Sequence, residues 1–243
     1  MDLKNKTALV TGCAVRLGRA ISLELSSAGC AIIGHYHSSR EEALSLKREV
    51  TGKGGQIELL PADLSDAEER QAFILKVQAL PREPDILVNS AAIFFPTPLA
   101  SASEEEWERL MDINLKPLFF LSRALGLRMK ARGAGRIINI GDTAWRAPWA
   151  DYIPYLITKG GVNTLTRGLA RALAPNVLVN CINPGPVLMP GDYSPAQIDK
   201  ALERTLLQRE GSAEDIARAV RFLAEADYIT GASIPVDGGR HIG

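Results

Sequence analysis

Residues 7–25 read TALVTGCAVRLGRAISLEL. The first part, TALVTG, is a short apolar run closed by threonine and glycine, as a buried strand ends. The second part, from Gly18 through SSAG, is amphipathic and stops at Gly29, as a helix does. A strand, a glycine turn and a helix in this order form the unit that binds phosphates in open parallel sheets. Glycine lets the backbone approach the anion, and the helix start offers free N–H groups. Gly12 and Gly18 are placed for that task, with Leu17 beside them, while Arg16 stands where the middle glycine is usual. The alternative is a plain connection with no ligand.

Outward from this unit the pattern repeats. CAIIGHY (30–36), QIELLPADL (56–64), DILVNSAA (85–92), GRIINIGD (135–142), NVLVNCINPG (176–185) and SIPV (233–236) read as strands, with amphipathic helices between them. Such alternation predicts βαβ units and an α/β, Rossmann-type, doubly wound parallel sheet. No linker, repeat or low-complexity segment divides the 243 residues, so residues 1–243 are expected to form a single domain. Hydrophobic residues make up 46% and charged residues 23%, enough for one large core. The formal net charge is zero, which argues against nucleic acid or an anionic membrane as partner. No run suits a membrane helix or a signal peptide. Cys13, Cys30 and Cys181 are scattered without metal spacing, which suggests reduced thiols, a cytoplasmic protein and no metal.

The second strand ends in His35-Tyr36-His37-Ser38-Ser39-Arg40, with no carboxylate before Glu41. An acid here would bond the ribose 2′-hydroxyl of NAD. Imidazole, hydroxyls and a guanidinium suit a 2′-phosphate instead, which predicts NADPH held by His37, Ser38, Ser39 and Arg40. Alternatively, Arg40 and Glu41 open a solvated helix. Farther on, GDTAWRAPWADYIPYLITK (141–159) holds Tyr155 and Lys159 one helical turn apart, after a helix start at Pro154. A nearby ammonium would favour the phenolate and lower the tyrosine pKa, fitting Tyr155 for acid–base work.

These pieces, in this order, resemble the short-chain dehydrogenase/reductase family over nearly the whole chain. The motifs are TGCAVRLG, ADL (62–64), NSAA (89–92), Asn114, YLITK (155–159), NPGPV (183–187) and VDGG (236–239). The resemblance implies that Tyr155 exchanges a proton with substrate while Lys159 holds the nicotinamide ribose. It implies that Asn114 supports a relay water, and that Asp63 and Leu64 border the adenine. It also implies that Asn89 and Ala91 stabilise the sheet edge and the adenosine ribose, that Pro184, Gly185 and Val187 meet the nicotinamide, and that residues 188–209 form a substrate lid. Family members commonly assemble as tetramers, so a homotetramer is expected, with Arg240 or His241 near a neighbour's cleft.

Two departures sharpen the expectation. Most of the family has serine where this chain has Asp142, and glycine where it has Arg16. Both changes, with RLGRAI (16–21), HYHSS (35–39), FFPTPL (94–99) and the ending DGGRHIG, resemble the pteridine reductase branch, including dihydromonapterin reductases. That branch implies a dihydropterin substrate, possibly with dihydrofolate as a second one, and a role in pterin or tetrahydrofolate metabolism. Asp142 and Tyr155 would then share the proton, Arg16 would reach over the cofactor diphosphate toward the pterin, and Phe94 would stack on it. The alternatives are a carbonyl reductase acting on a 3-oxoacyl thioester, or a dinucleotide sensor without catalysis. Asp142 could instead be an N-cap. Phe94 or Phe95 could be a core residue, and Trp145 and Trp149 could form cleft wall or interface.

Overall fold

The computed structural model describes residues 1–189 and 193–243. Seven parallel strands form one sheet in the order β3-β2-β1-β4-β5-β6-β7. The strands are β1 (Thr7–Val10), β2 (Ala31–Tyr36), β3 (Ile57–Pro61), β4 (Ile86–Asn89), β5 (Gly135–Ile140), β6 (Val177–Pro184) and β7 (Ser233–Val236). The helices are α1 (Arg16–Ser27), α2 (Arg40–Gly52), α3 (Ala67–Gln78), α4 (Glu104–Asn114), α5 (Lys116–Ala131), α6 (Ile153–Leu173), α7 (Pro195–Glu203) and α8 (Ala213–Glu225).

Alternating side chains sort the core onto two faces. Ala8, Val10, Ile32, Ile86, Val88, Ile138 and Ile140 pack with α1, α2 and α8 through Ile21, Leu25, Leu46, Val50, Ile216, Val220 and Leu223. Leu9, Ile33, Leu87, Ile137 and Val179 face the other way, onto Phe73, Val77, Leu121, Leu125, Met129, Leu169 and Leu173 of α3, α5 and α6. Both faces are therefore covered, which explains why these strands read as continuous apolar runs.

Chain direction reverses its progress across the sheet between β1 and β4. Ligand crevices in open α/β sheets form at such a switch point, outside the carboxyl ends of the strands. Two strands stop earlier than their sequences suggest. β4 ends at Asn89 because the Thr11 hydroxyl takes the N–H groups of Ser90 and Ala91 at 3.0 and 3.1 Å, leaving none for a ladder. β3 ends at Pro61, so Asp63 and Leu64 belong to the loop that follows. In the 188–209 segment, α7 begins under a Ser194–Gln197 capping box, and residues 190–192 of the expected lid lie outside the described residues. Among the described residues no helix is long and apolar enough to cross a membrane, and no His, Cys, Asp and Glu side chains cluster as metal ligands.

Candidate active site

One cleft of about 1020 Å³ runs along the carboxyl ends of β1 to β6. Pockets for a single small ligand span roughly 300–1,000 Å³, so this volume leaves room for a dinucleotide and a small substrate together. Its lining includes Gly12, Arg16, Leu17 and Gly18 after β1; His37, Ser38 and Ser39 after β2; and Asp63, Leu64 and Ala91 farther along. It also includes Phe94, Asp142, Tyr155, Lys159, Pro184, Gly185 and Val187.

The turn after β1 depends on missing atoms. Gly12 has φ +67°, and a Cβ on Gly18 would stand 2.0 Å from the Gly12 carbonyl oxygen. Only glycine lets α1 start this close to the turn. Buried His35 ties the turn to its neighbours: Gly12 N–H donates to Nδ1 at 3.2 Å, and Nε2 donates to the Ala62 carbonyl at 3.0 Å. Burial pulls the His35 pKa down to about 4, so the imidazole is neutral. Helix α1 begins after Val15 with no side-chain cap, and its first N–H groups open on the cleft lined by Leu17 and Gly18. An uncapped helix start of this kind accommodates a diphosphate.

At the other end stand Asp142 and Tyr155. Asp142 follows β5, and Tyr155 sits in the first turn of α6. The Tyr155 hydroxyl donates to Asp142 Oδ2 at 2.9 Å. Oδ1 of the same carboxylate accepts the Ala144 N–H at 2.8 Å and caps a short 3-10 turn, Thr143–Arg146. Asp142 is thus both a cap and a cleft acid, and the cap fixes the direction in which Oδ2 points. Burial raises the Asp142 pKa, against a smaller opposing pull from the Ala144 N–H and Lys159. Tyr155 is pushed well above its usual value, first by burial and then by the Asp142 carboxylate. Lys159 lies within 5.6 Å of the Tyr155 ring centre and donates to the Ile140 carbonyl at 3.1 Å. The expectation that Lys159 lowers the tyrosine pKa is therefore corrected. Burial and an acid at hydrogen-bond distance raise the phenol, and the smaller opposing pull comes from Arg16 rather than from the Lys159 ammonium.

Aromatic rings wall this end. Phe94 stacks on Tyr152 (4.7 Å, 6°) and meets Tyr155 edge-on (4.9 Å, 80°). Trp149 meets Tyr152 edge-on, and the Arg240 guanidinium lies 5.6 Å over Trp149. Phe95 turns inward to pack with Leu110 and Leu156.

A family model described as "Enoyl-(Acyl carrier protein) reductase" matches residues 12–241. The 3-oxoacyl-[acyl-carrier-protein] reductase FabG of Staphylococcus aureus is 35% identical over 244 residues, covering 98% of both chains. This chain belongs to the short-chain dehydrogenase/reductase family. It is an oxidoreductase of the class that works with nicotinamide dinucleotides. The 3beta-hydroxysteroid dehydrogenase 1 of Eggerthella lenta is 33% identical over 98% of this chain and 94% of its own. Among solved structures, a putative gluconate dehydrogenase from Agrobacterium tumefaciens superposes with a TM-score of 0.95 at 31% identity, covering 100% of this chain and 98% of its own. A blue fluorescent protein from a metagenomic library, in complex with NADPH, does so with a TM-score of 0.91 at 34% identity, with 99% of each chain covered.

Within this short-chain dehydrogenase/reductase, three expected site residues sit elsewhere. Arg40 is exposed at the start of α2 and is not among the residues that line the cleft. Asn89 is buried behind the lining, where its Nδ2 donates to Asn139 at 2.8 Å and Ser122 at 3.1 Å. The Asn114 side chain is spent on Ile93, accepting its N–H at 2.8 Å and donating to its carbonyl at 2.9 Å. It fixes the backbone that carries Phe94 rather than facing the cleft. Arg240 lines this chain's own cleft, and His241 instead bonds Asp237 at 2.9 Å. Trp149 lines the cleft, one of the two places expected for it, while Arg204 and Arg240 are lining residues to which the sequence assigned no role in this chain's own site. Long-range packing brings them in, and no local spacing marks them. Cys13 is buried with its thiol pushed up to about 12, a packing residue set against Gly34.

Proposed function

We propose that this enzyme is an NADPH-dependent reductase of a dihydropterin, forming the tetrahydro level, with Asp142 and Tyr155 as its proton relay. The contact between the Tyr155 hydroxyl and Asp142 Oδ2 carries this reading. When bound, the nicotinamide supplies the hydride that reduces the ring carbon. The ring nitrogen then needs a proton, and a phenol held above its ordinary pKa retains one to give. Asp142, raised by burial, can refill Tyr155, and Lys159 and Arg240 stabilise the carboxylate left behind. A serine in its place could orient a carbonyl but could not act as that acid. Phe94 offers an aromatic face on which a flat heterocycle stacks, worth about 0.5–1.5 kcal/mol beyond burial.

The dinucleotide would rest on Gly12, Leu17 and Gly18, with Asp63, Leu64 and Ala91 toward the adenosine, and Lys159, Pro184, Gly185 and Val187 toward the nicotinamide. His37, Ser38 and Ser39, with no acid among them, favour the 2′-phosphate of NADPH. The NADPH complex of the metagenomic protein supports this choice. Residues 188–209 would act as a lid over the substrate. Assembly as a homotetramer belongs to the same proposal, and sedimentation tests it.

A second reading, reduction of a 3-oxoacyl thioester, is favoured by the names of the FabG relatives. One experiment separates the two. NADPH oxidation is followed with dihydromonapterin, dihydrobiopterin and a 3-oxoacyl thioester, using the parent enzyme and Asp142→Ser. The expected result is faster turnover of the pterins by the parent. Asp142→Ser should cut it about 100-fold and raise thioester turnover. Thioester turnover alone by the parent would establish the second reading.

A further inference from the structure

The cleft wall beyond Trp149 carries two cations, of which Arg204 takes no part in the proton relay and Arg240 acts on Asp142 only through its charge. Arg204, just after α7, and Arg240, in the C-terminal turn, both line the cleft. A chain of ring contacts, Arg240–Trp149–Tyr152–Phe94–Tyr155, ties this corner to the Tyr155 end rather than to the glycine turn.

Arg240 is held in place. One edge of its guanidinium donates to the Ala201 carbonyl in the last turn of α7, where helix carbonyls lack internal partners, and its flat face covers Trp149. Arg204 has no hydrogen-bond or ion-pair partner for its guanidinium among the described residues. Two nearby carboxylates are committed elsewhere, and a third, Asp151, lines the cleft from an exposed position. Asp142 serves Tyr155 and Ala144, while Asp237 takes Thr143 at 2.7 Å, Gly239 at 2.9 Å and His241 at 2.9 Å. Burial, and after it the charge of Arg204, weigh against the charge on Arg240. Two like charges facing one cleft, with no carboxylate bonded to either among the described residues, leave room for an anion from outside, and guanidinium forks match carboxylate and phosphate oxygens.

We propose that Arg204 and Arg240 form an anion-binding subsite for the distal end of the substrate. The preferred substrate then carries a carboxylate or phosphate away from the bond that is reduced. This deepens the proposed function and rests on its placement of the chemistry at Tyr155.

The test compares substrates that differ in charge at the tail. For carboxylate the pair is dihydrofolate and its dimethyl ester. For phosphate it is dihydroneopterin monophosphate and dihydroneopterin. A thioester pair, acetoacetyl-coenzyme A and acetoacetyl-N-acetylcysteamine, probes the same subsite if pterins are not reduced. Failure of the pterin chemistry is thereby distinguished from failure of the subsite. The readout is the ratio of kcat/KM for the charged member over its neutral partner. Expected is a ratio of at least about ten for one anion type, cut about tenfold in Arg204→Gln and partly restored in Arg204→Lys. Raising salt from about 50 to about 500 mM should lower the charged member selectively. A ratio near one in every pair overturns the proposal, and so does an equal loss for both members in Arg204→Gln.

Discussion

The turn after β1 is shaped by backbone groups, absent side chains and one buried imidazole, whereas the wall around Tyr155 is built from side chains, several of them anchored on backbone. At the first, Gly12 and Gly18 make room and a neutral His35 ties two loops together. At the second, rings, two arginines and one carboxylate arrange themselves across elements far apart in sequence. The diphosphate is the same in NAD and NADP, so backbone geometry suffices to receive it. Substrates differ between relatives, and side chains can be exchanged without rebuilding the sheet. The glycine end therefore tells the family, and the aromatic end must tell the substrate.

The largest expected effect tests whether the two ends work separately. Tyr155→Phe removes the hydroxyl that meets Asp142 and should lower kcat about 100- to 10,000-fold. Dinucleotide affinity, followed by nicotinamide fluorescence, should stay within a few-fold of the parent because the glycine turn is untouched. A comparable loss of cofactor binding would show that the ends are one unit.

A pH experiment probes the glycine end alone. His35 has a folded pKa near 4, below the ordinary 6.5, so the unfolded chain binds the extra proton between those values. Its contribution to stability is complete above pH 6.5 and is lost as the pH falls toward 4. The expected loss between pH 7 and 4.5 is about 2–3 kcal/mol by urea unfolding. Carboxylates held below their usual range, such as Asp63, also lose stability toward acid. The comparison with His35→Gln isolates the imidazole, because that variant lacks the His35 part of the slope. Identical slopes in both proteins would remove His35 from the account.

The same contrast explains what the sequence could and could not disclose. While β3 and β7 at the sheet edges are only partly buried, the central strands are legible as apolar runs because covered parallel strands bury both faces. Their ends are less legible: nothing local tells that the Thr11 hydroxyl will take two N–H groups from the end of β4. Tyr155 and Lys159 are visible because one helical turn separates them. Asp142 is visible as an acid after a strand, but its double bonding to Ala144 and Tyr155 is not. Asn114 shows the limit. Its side chain faces the Ile93 backbone, a partner 21 residues away, and no spacing rule chooses between that and the cleft. Arg204 and Arg240 escaped for a similar reason, since α7 and the C-terminal turn meet only in the folded chain.

Arg16 joins the two ends, and its effect should be the smallest. By its backbone it belongs to the glycine turn, where it adopts φ +49°, a conformation that non-glycine residues rarely take. By its side chain it belongs to the other end, donating to the carbonyl of Leu188, itself at φ +54°. Left-handed backbone costs a side chain about 1–2 kcal/mol, while a glycine there loses up to about 1 kcal/mol more entropy on folding. These terms nearly cancel, so Arg16→Gly should move Tm by no more than about 4 °C. If the side chain serves the substrate end, KM for the substrate should rise a few-fold while dinucleotide affinity holds. A large fall in Tm with no change in KM would make Arg16 a brace between the turn and residue 188. The opposite pattern would mean that the strain is retained for what the guanidinium reaches.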